Sequence, residues 1–262
     1  MEIIKVSDNF WNIRGSFKIG GVVDIGTQAS LVKRQNGEFV LLDTCGLSTE
    51  VAAQIDALTN GGKDIKAILN LHPFHTVYVS QMHERYPHAL LYGTARHVAR
   101  APALPWQPKH TESPEIQTLF AEDFEFSVPK GVDFISKNEN IHFSSVLVYH
   151  RASKTIHVDD TLMFSKLPGV LNLIGMSDVL NFHPTLAVAL EKRASAADDF
   201  ESWTTDIVER WQDAENLCAA HTAPLLGRDN SDDAIAERIL NALGRVKWLL
   251  ATHRLRFGAK GK

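Results

Sequence analysis

The chain reads as a mixed α/β (α+β) protein, a four-layer αββα sandwich with helices outside two packed sheets. Three observations lead there. In each half of the 262 residues strand patterns come first and helix patterns later, so each sheet is expected to carry its own helices. The composition, 44% hydrophobic and 22% charged, is that of an ordinary globular chain with a sizeable core. No internal repeat or low-complexity segment divides it, and residues 1–262 are expected to form one domain.

The first section reads as β. "QASLVKRQNGEFVLLDT" alternates and then runs apolar around Asn36-Gly37, a two-residue hairpin signal, and its second strand ends at Asp43. "STEVAAQIDALTNGG" opens a helix with Ser48 or Thr49 as cap and Glu50 in the first turn. It repeats apolar residues at Val51, Ile55 and Leu58, and Gly61-Gly62 stops it. Ile65 to Leu71 is the next strand, Val77 to Tyr86 a short helix ended by Pro87, "ALLYGT" a strand and Thr94 to Arg100 a helix. The proline-rich run "APALPWQPKHTESP" is expected to be a long loop, over the site or packed on the surface.

Strands return at "FEFSV", "VDFI", "HFSSVLVYH" and "KTIHVDD", the last two joined by a turn near Ala152-Ser153. Leu167 to Phe182 reads as loop. Helices are expected from Pro184 through Leu190 and over "DDFESWTTDIVERWQDA", followed by a short strand "NLCAAH". A long amphipathic helix then runs from about Asp232 to Leu250, with Ile235, Ile239, Leu243 and Val246 on one side.

A formal net charge of −4 supplies no electrostatic case for nucleic acid or an anionic membrane as partner, and no apolar run approaches membrane-spanning length. Two cysteines, Cys45 and Cys218, make no disulfide framework. "MEIIKVSDNFWNIRG" lacks a basic start followed by an apolar block. The expectation is a cytoplasmic protein acting on a small molecule, with its oligomeric state open.

The chemistry concentrates at strand ends. Asp43 follows "VLL", His72 and His75 follow "AILNL", Asp159-Asp160 follow "TIHV", His221 ends "NLCAA" and His142 begins "HFSSVLVY". A sheet fixes the backbone at such places while the loop turns side chains inward, which suits a metal centre. Each residue also has a structural alternative. A lone histidine after a strand more often caps backbone groups or packs under a helix, and Asp160 could cap the Thr161 or Leu162 amides. Asp43 is read as a hydrogen-bonder of loop amides. Asn70 reads equally as a strand-end hydrogen-bonder or a weak oxygen donor. Cys45 has no histidine beside it to make it a nucleophile.

At this point the chain resembles the metallo-β-lactamase superfamily, which uses an αββα sandwich and an H-x-H-x-D-H motif after a strand. Asn70-Leu71-His72-Pro73-Phe74-His75 is similar to that motif, with Asn70 in place of the first histidine and Phe74 in place of the aspartate. "LLDTCG" is similar to the early strand-end aspartate. "HFSSVLVYHRASKTIHVDDTLMF" is similar to the histidine-strand-turn-strand-aspartate element, with Asp159 where glycine is usual. The similarity spans roughly residues 20–225 and rests on the order of the pattern.

The resemblance implies metal ligands His72, His75, His142, Asp160 and His221, grouped as His75, Asp160 and His221, and as His72 and His142 helped by Asn70 or Asp160. One divalent ion is expected, zinc first, with iron or manganese as alternatives. The implied activity is hydrolysis of a small ester, amide, thioester or phosphoester through a metal-bound hydroxide, with Asp160 as the catalytic carboxylate. A phenyl ring at Phe74 neither binds an ion nor orients water, so Asp159, His157 or His183 would have to supply that function. Strand alternation is expected to put His157 and Asp159 on one face and Asp160 on the other. Two other functions compete: a catalytically silent relative that binds a small molecule or partner, and oxidative chemistry at a two-histidine, one-carboxylate iron site.

Overall fold

The structure is a computed structural model. It describes the backbone of every residue except 17, 20–22, 25, 167–177, 221–222, 230–233 and 259–262, and all of their side chains but those of 18, 19, 23 and 24. The first sheet contains β1 (Glu2–Ser7), β2 (Phe10–Gly15), β5 (Thr27–Lys33), β6 (Phe39–Leu42), β7 (Ile65–Leu69) and β8 (Leu90–Tyr92), in that spatial order. Its pairs are antiparallel from β1 to β6 and parallel from β6 to β8. A two-stranded ribbon, β3 (Lys18–Ile19) with β4 (Val23–Asp24), branches between β2 and β5. The second sheet runs β12 (Val179–Phe182), β11 (Thr155–Ser165), β10 (Leu147–His150), β9 (Phe124–Ser127), all antiparallel. β13 (Asn216–Ala220) pairs parallel with the first half of β11.

Alternation along the strands sorts the side chains into three apolar layers. Ile13, Leu31, Leu41 and Ile68 face α1 (Thr49–Leu58) and α2 (Val79–Arg85), which contribute Val51, Ile55, Val79 and Met82. Val32, Val40, Leu42 and Leu69 meet Phe124, Phe126 and Val148 between the sheets. Tyr149, Ile156, Phe164 and Leu217 face α6 (Ala196–Arg210) and α7 (Ile235–Phe257), which bring Phe200, Trp203, Ile239 and Leu243. This is the four-layer αββα sandwich expected. The smaller helices are α3 (Ala95–Arg100), α4 (Pro114–Leu119) and α5 (Leu186–Ala189).

Several elements differ from expectation for identifiable reasons. α4 begins at Pro114, the last residue of the proline-rich stretch, which sits in its first turn, and Ile116 is drawn into the layer between the sheets. The preceding residues follow the edge of β8, as Gln107 and Thr111 donate to the Leu91 and Gly93 carbonyls. "VDFI" is not a strand: Val132 makes one isolated bridge to Leu190, and Asp133 donates to the Ala189 carbonyl. The strand expected from His142 begins only at Leu147, because the Val146 amide turns to the Leu71 carbonyl and the Ser145 amide to Thr161 Oγ1. β12 falls within the reach read as loop. The last helix continues to Phe257, and its expected start overlaps residues outside those described.

Between the sheets the layer changes character along the strands. β2 presents Phe10, then Asn12, then Arg14 inward, and its antiparallel neighbour β5 presents Val32, Ser30 and Gln28. The apolar end is closed by aromatic side chains and the polar end opens on the loops that carry the histidines.

Gly131 has a backbone requirement. Its φ is +74°, and a Cβ there would lie 2.0 Å from the Ala196 carbonyl oxygen at the start of α6. Gly37, at φ +87° in the hairpin, has nothing within 4 Å of that position. Gly131→Ala is therefore expected to lower unfolding stability by about 2–4 kcal/mol, and Gly37→Ala by only about 1 kcal/mol, in urea unfolding. Equal losses at the two positions would show that the contact with Ala196 is absent.

Candidate metal centre

The polar end of the inter-sheet layer is a directed chain of hydrogen bonds. Asn12 Nδ2 donates to Ser30 Oγ (3.1 Å), which meets His157 Nδ1 (2.9 Å), and His157 Nε2 donates to Asp43 Oδ2 (3.0 Å). Asp43 Oδ1 accepts the amides of Leu71 (2.6 Å) and His72 (3.3 Å). Asp43 is held at φ +58°, a left-handed conformation that aspartate tolerates better than most residues. Gln28 and Arg14 extend the chain to the second sheet: Gln28 Nε2 donates to the Val158 and Cys218 carbonyls, and Arg14 Nη1 to Ala219 (2.7 Å). Hydrogen bonds thus run without a break from Asn12 to the backbone of His72, while the buried Asn12 Oδ1 is left without a partner.

Three potential ligand atoms converge just beyond it. His72, His75 and Asp160 place one donor atom each within 4.8 Å of the others. Asp160 Oδ2 is 3.2 Å from His72 Nε2 and 3.5 Å from His75 Nε2. Ligands around a tetrahedral ion with bonds of about 2.0–2.2 Å are separated by about 3.3–3.6 Å, so these two spacings match the edges of such a site. His72 Nε2 is fully buried and has no hydrogen-bond partner, although Asp160 lies beside it. A stranded interior nitrogen next to a carboxylate is costly unless something binds there, and the donor set fits a divalent cation. The same ring accepts the Phe74 amide at Nδ1 (3.2 Å), a contact that an ion at Nε2 would exchange for a proton on Nδ1.

His75 is clamped on both sides. Asp159 Oδ2 lies 2.5 Å from its Nδ1, while Asp160 faces Nε2. A carboxylate behind a ligating imidazole fixes its tautomer and ring orientation. Burial disfavours the charged ring, but Asp159 and Asp160 outweigh that and hold His75 well above the ordinary imidazole range. Burial likewise disfavours the Asp159 carboxylate, and the facing His75 overrides it and lowers its pKa. The His75 carbonyl in turn accepts His97 Nε2 (3.3 Å), and burial pushes His97 down to about 4.

Other expected site residues fall elsewhere. Both ends of the Asn70 amide are engaged in hydrogen bonds: its Nδ2 donates to the Tyr92 carbonyl (2.9 Å) in β8 and its Oδ1 accepts Thr44 Oγ1 (3.3 Å) in the loop after β6. His142 stands outside the cluster. Its ring stacks on Phe74 (4.7 Å, 15°), its Nε2 donates to the Glu139 carbonyl, and its centroid is 6.4 Å from that of His72. Arg96 covers the Phe74 ring, with Cζ 4.4 Å from its centroid. His157 belongs to the hydrogen-bond chain and not to the metal cluster. His183 Nδ1 meets Thr185 Oγ1 (2.7 Å) at the turn before α5, although the residue lines the same cavity as His75.

Asp159 and Asp160 are not divided between two faces as alternation predicts. The pairing of β11 with β13 shifts register between Val158 and Met163, and both carboxylates reach His75. His221, and with it the grouping of His75, Asp160 and His221, lies outside the described residues. Cys45 and Cys218 are free and buried, and burial pushes each thiol up to about 12, which removes them as nucleophiles. The chain from Asn12 to Asp43 was missed at the sequence level. Its signal is the period-two reading of "FWNIRG" and "TQASLVK", which aligns polar residues with the inward-facing Phe10 and Val32.

The cluster opens on a cavity of about 1290 Å³. Its wall includes apolar Ile4, Val77, Tyr78, Met163 and Leu226, and charged Arg14, Lys166, Arg228, Glu2 and Asp229. Among the described residues no helix is long and apolar enough to cross a membrane.

No protein-family model matches the sequence, and no curated protein does. Solved structures match over nearly the whole chain. The DIM-1 metallo-β-lactamase superposes with TM-score 0.60 at 13% identity, covering 96% of this chain and 97% of that one. A metallo-β-lactamase from Hirschia baltica gives 0.59 at 14% identity, over 95% and 97%. The metallo-β-lactamase FIM-1 from Pseudomonas aeruginosa, solved in a mono-zinc form, gives 0.57 at 11% identity, over 94% and 95%. At such identities the likeness establishes fold alone.

Two measurements check this geometry. In metal-free protein the His75 ring should titrate above the ordinary value of about 6.5 by NMR, and Asp159→Asn should bring its midpoint down. Because the folded-state value is raised, this contribution to stability is complete below the unfolded pKa and is lost as pH rises through the folded one. A midpoint unchanged in Asp159→Asn would mean that the pair is not formed. Separately, His157→Leu leaves Asp43 Oδ2 buried without its donor and should cost about 2–4 kcal/mol in denaturant unfolding, and a loss below about 0.5 kcal/mol would show that Asp43 is held without it.

Proposed function

Starting from a chain with the metallo-β-lactamase fold, we propose that this protein is a metal-dependent hydrolase with a single-ion site formed by His72, His75 and Asp160. The observation that carries this reading is the convergence of three ligand atoms, one of them a stranded buried nitrogen, at the wall of a large cavity. His221 is the proposed fourth ligand, since its neighbour Ala220 lines that cavity. Zinc is the first choice, with iron or manganese as alternatives, and the substrate is a small ester, amide, thioester or phosphoester.

His72, His75 and Asp160 would hold a divalent ion, which would supply a Lewis acid for a substrate oxygen or for water. The chain's own residues do the rest. Asp159 fixes the His75 ring through Nδ1 and keeps Oδ1, which has no hydrogen-bond partner, as an acceptor beside the site. Phe74, stacked between Arg96 and His142, makes that side of the cavity apolar and excludes water from it. The apolar residues of the cavity wall hold the body of a substrate.

A second reading is favoured by the donor set itself. Two imidazoles and one carboxylate with open positions also suit iron(II) in oxygen-using enzymes. Iron content together with oxygen uptake would select that reading over hydrolysis.

Protein purified without added metal should carry about one ion per chain, and His72→Ala or Asp160→Asn should weaken its binding about 100-fold or more, whereas His142→Ala should retain it. Hydrolysis of generic esters or phosphoesters should disappear with a chelator and return with the ion. A stoichiometric ion without turnover on any of these substrates would favour the silent binding protein. Failure to take up an ion would end both catalytic readings.

A further inference from the structure

α7 buries one face against the second sheet through Ile235, Ile239, Leu243 and Leu250. Its opposite face carries Leu240, Gly244, Trp248, Ala251 and Leu255, all exposed and spaced four, four, three and four residues apart. Leu240 is 44% exposed, Trp248 72% and Leu255 87%. That spacing puts them on one stripe of the helix, and an exposed tryptophan and leucine in line form an apolar strip without a cover among the described residues.

The sizes along the stripe are palindromic: large, small, large, small, large. We propose that this face is the interface of a two-fold symmetric homodimer in which α7 packs antiparallel on α7 of a second copy. A two-fold contact must be self-complementary, and this stripe is. The register that matches it puts Leu240 against Leu255 of the partner subunit and Gly244 against Ala251 of the partner subunit. The two Trp248 rings then lie side by side at the axis. The small residues let the helix axes approach to the lower end of the usual 8–10 Å.

Charge supports the same arrangement. Glu237, near the start of the helix on the same stripe, has no ion-pair partner among the described residues, nor has Arg256 near its end. The antiparallel register brings Glu237 beside the last turn of the second helix, within reach of Arg256 of the partner subunit. A membrane surface is the less suitable occupant. Arg245 is tied to Asn181 Oδ1 (2.7 Å), and Arg254 to Asp198 (2.6 Å) and Glu201, so two of the basic groups flanking the stripe are already engaged. The stripe from Leu240 to Leu255 is about 22 Å long at about 1.5 Å per residue and about 10 Å wide, below the size of ordinary specific interfaces, so the dimer should be weak and concentration-dependent.

Sedimentation velocity from micromolar to near-millimolar concentration, with vesicle flotation alongside, tests this. The wild-type chain should shift from monomer towards dimer, and Trp248→Glu should remain monomeric throughout. Gly244→Leu is the discriminating variant. It adds apolar surface where a Cβ meets nothing within 4 Å, so it should fold normally. It should nevertheless weaken the dimer about tenfold or more, because it blocks the close approach of the helices. A wild-type monomer at every concentration, a dimer untouched by Trp248→Glu, or tighter association in Gly244→Leu would each overturn the proposal. So would Trp248-dependent flotation with anionic vesicles in a chain that stays monomeric.

Discussion

The Asp43 carboxylate joins the parts that the candidate site depends on. It ends β6 in a left-handed conformation, receives the amides of Leu71 and His72 on one oxygen, and takes the His157 ring from the facing sheet on the other. It therefore sets where the chain leaves β7 and, with it, where the His72 ring begins. An inter-sheet layer of hydrocarbon could not do this, since van der Waals contact is not directional enough to orient a loop backbone. The polar residues that replace it cost desolvation, which the hydrogen bonds from Asn12 to Asp43 offset in part.

Beyond this anchor the site is asymmetric. One side has the two imidazoles and Asp160, with Asp159 behind His75. On the other side, Phe74 is stacked between a guanidinium and an imidazole, and the His142 Nε2–H is given to a backbone carbonyl. A ring in that place makes His142 a packing partner. The chemistry open to the protein follows from the first side, and the Phe74 ring offers no ligand atom on the second.

Much of the fold was legible because its signals are local. The hairpin around Asn36-Gly37, the capped α1 and the apolar run of β7 each depend on residues within one element and each is present, although the hairpin loop is longer than two residues, with the Arg34 amide donating to the Glu38 carbonyl. Elements set by distant contacts were not. α4 exists because Ile116 finds a place between the sheets, and "VDFI" fails as a strand because its backbone binds the segment after α5 instead. The site was legible as a set of residue types at strand ends, which brought out His72, His75 and Asp160. The roles of Asp159 and His142 were not, because one follows from a register shift in β11 and the other from a stacking contact that no spacing encodes.

The most direct test is an anomalous-scattering map of crystals grown with a divalent metal. The account predicts one strong peak about 2.0–2.2 Å from a ring nitrogen of each of His72 and His75 and from an Asp160 oxygen, with none beside Phe74. A second ion between Phe74 and His142, or no ion among the three ligands while the surrounding fold is intact, would contradict it.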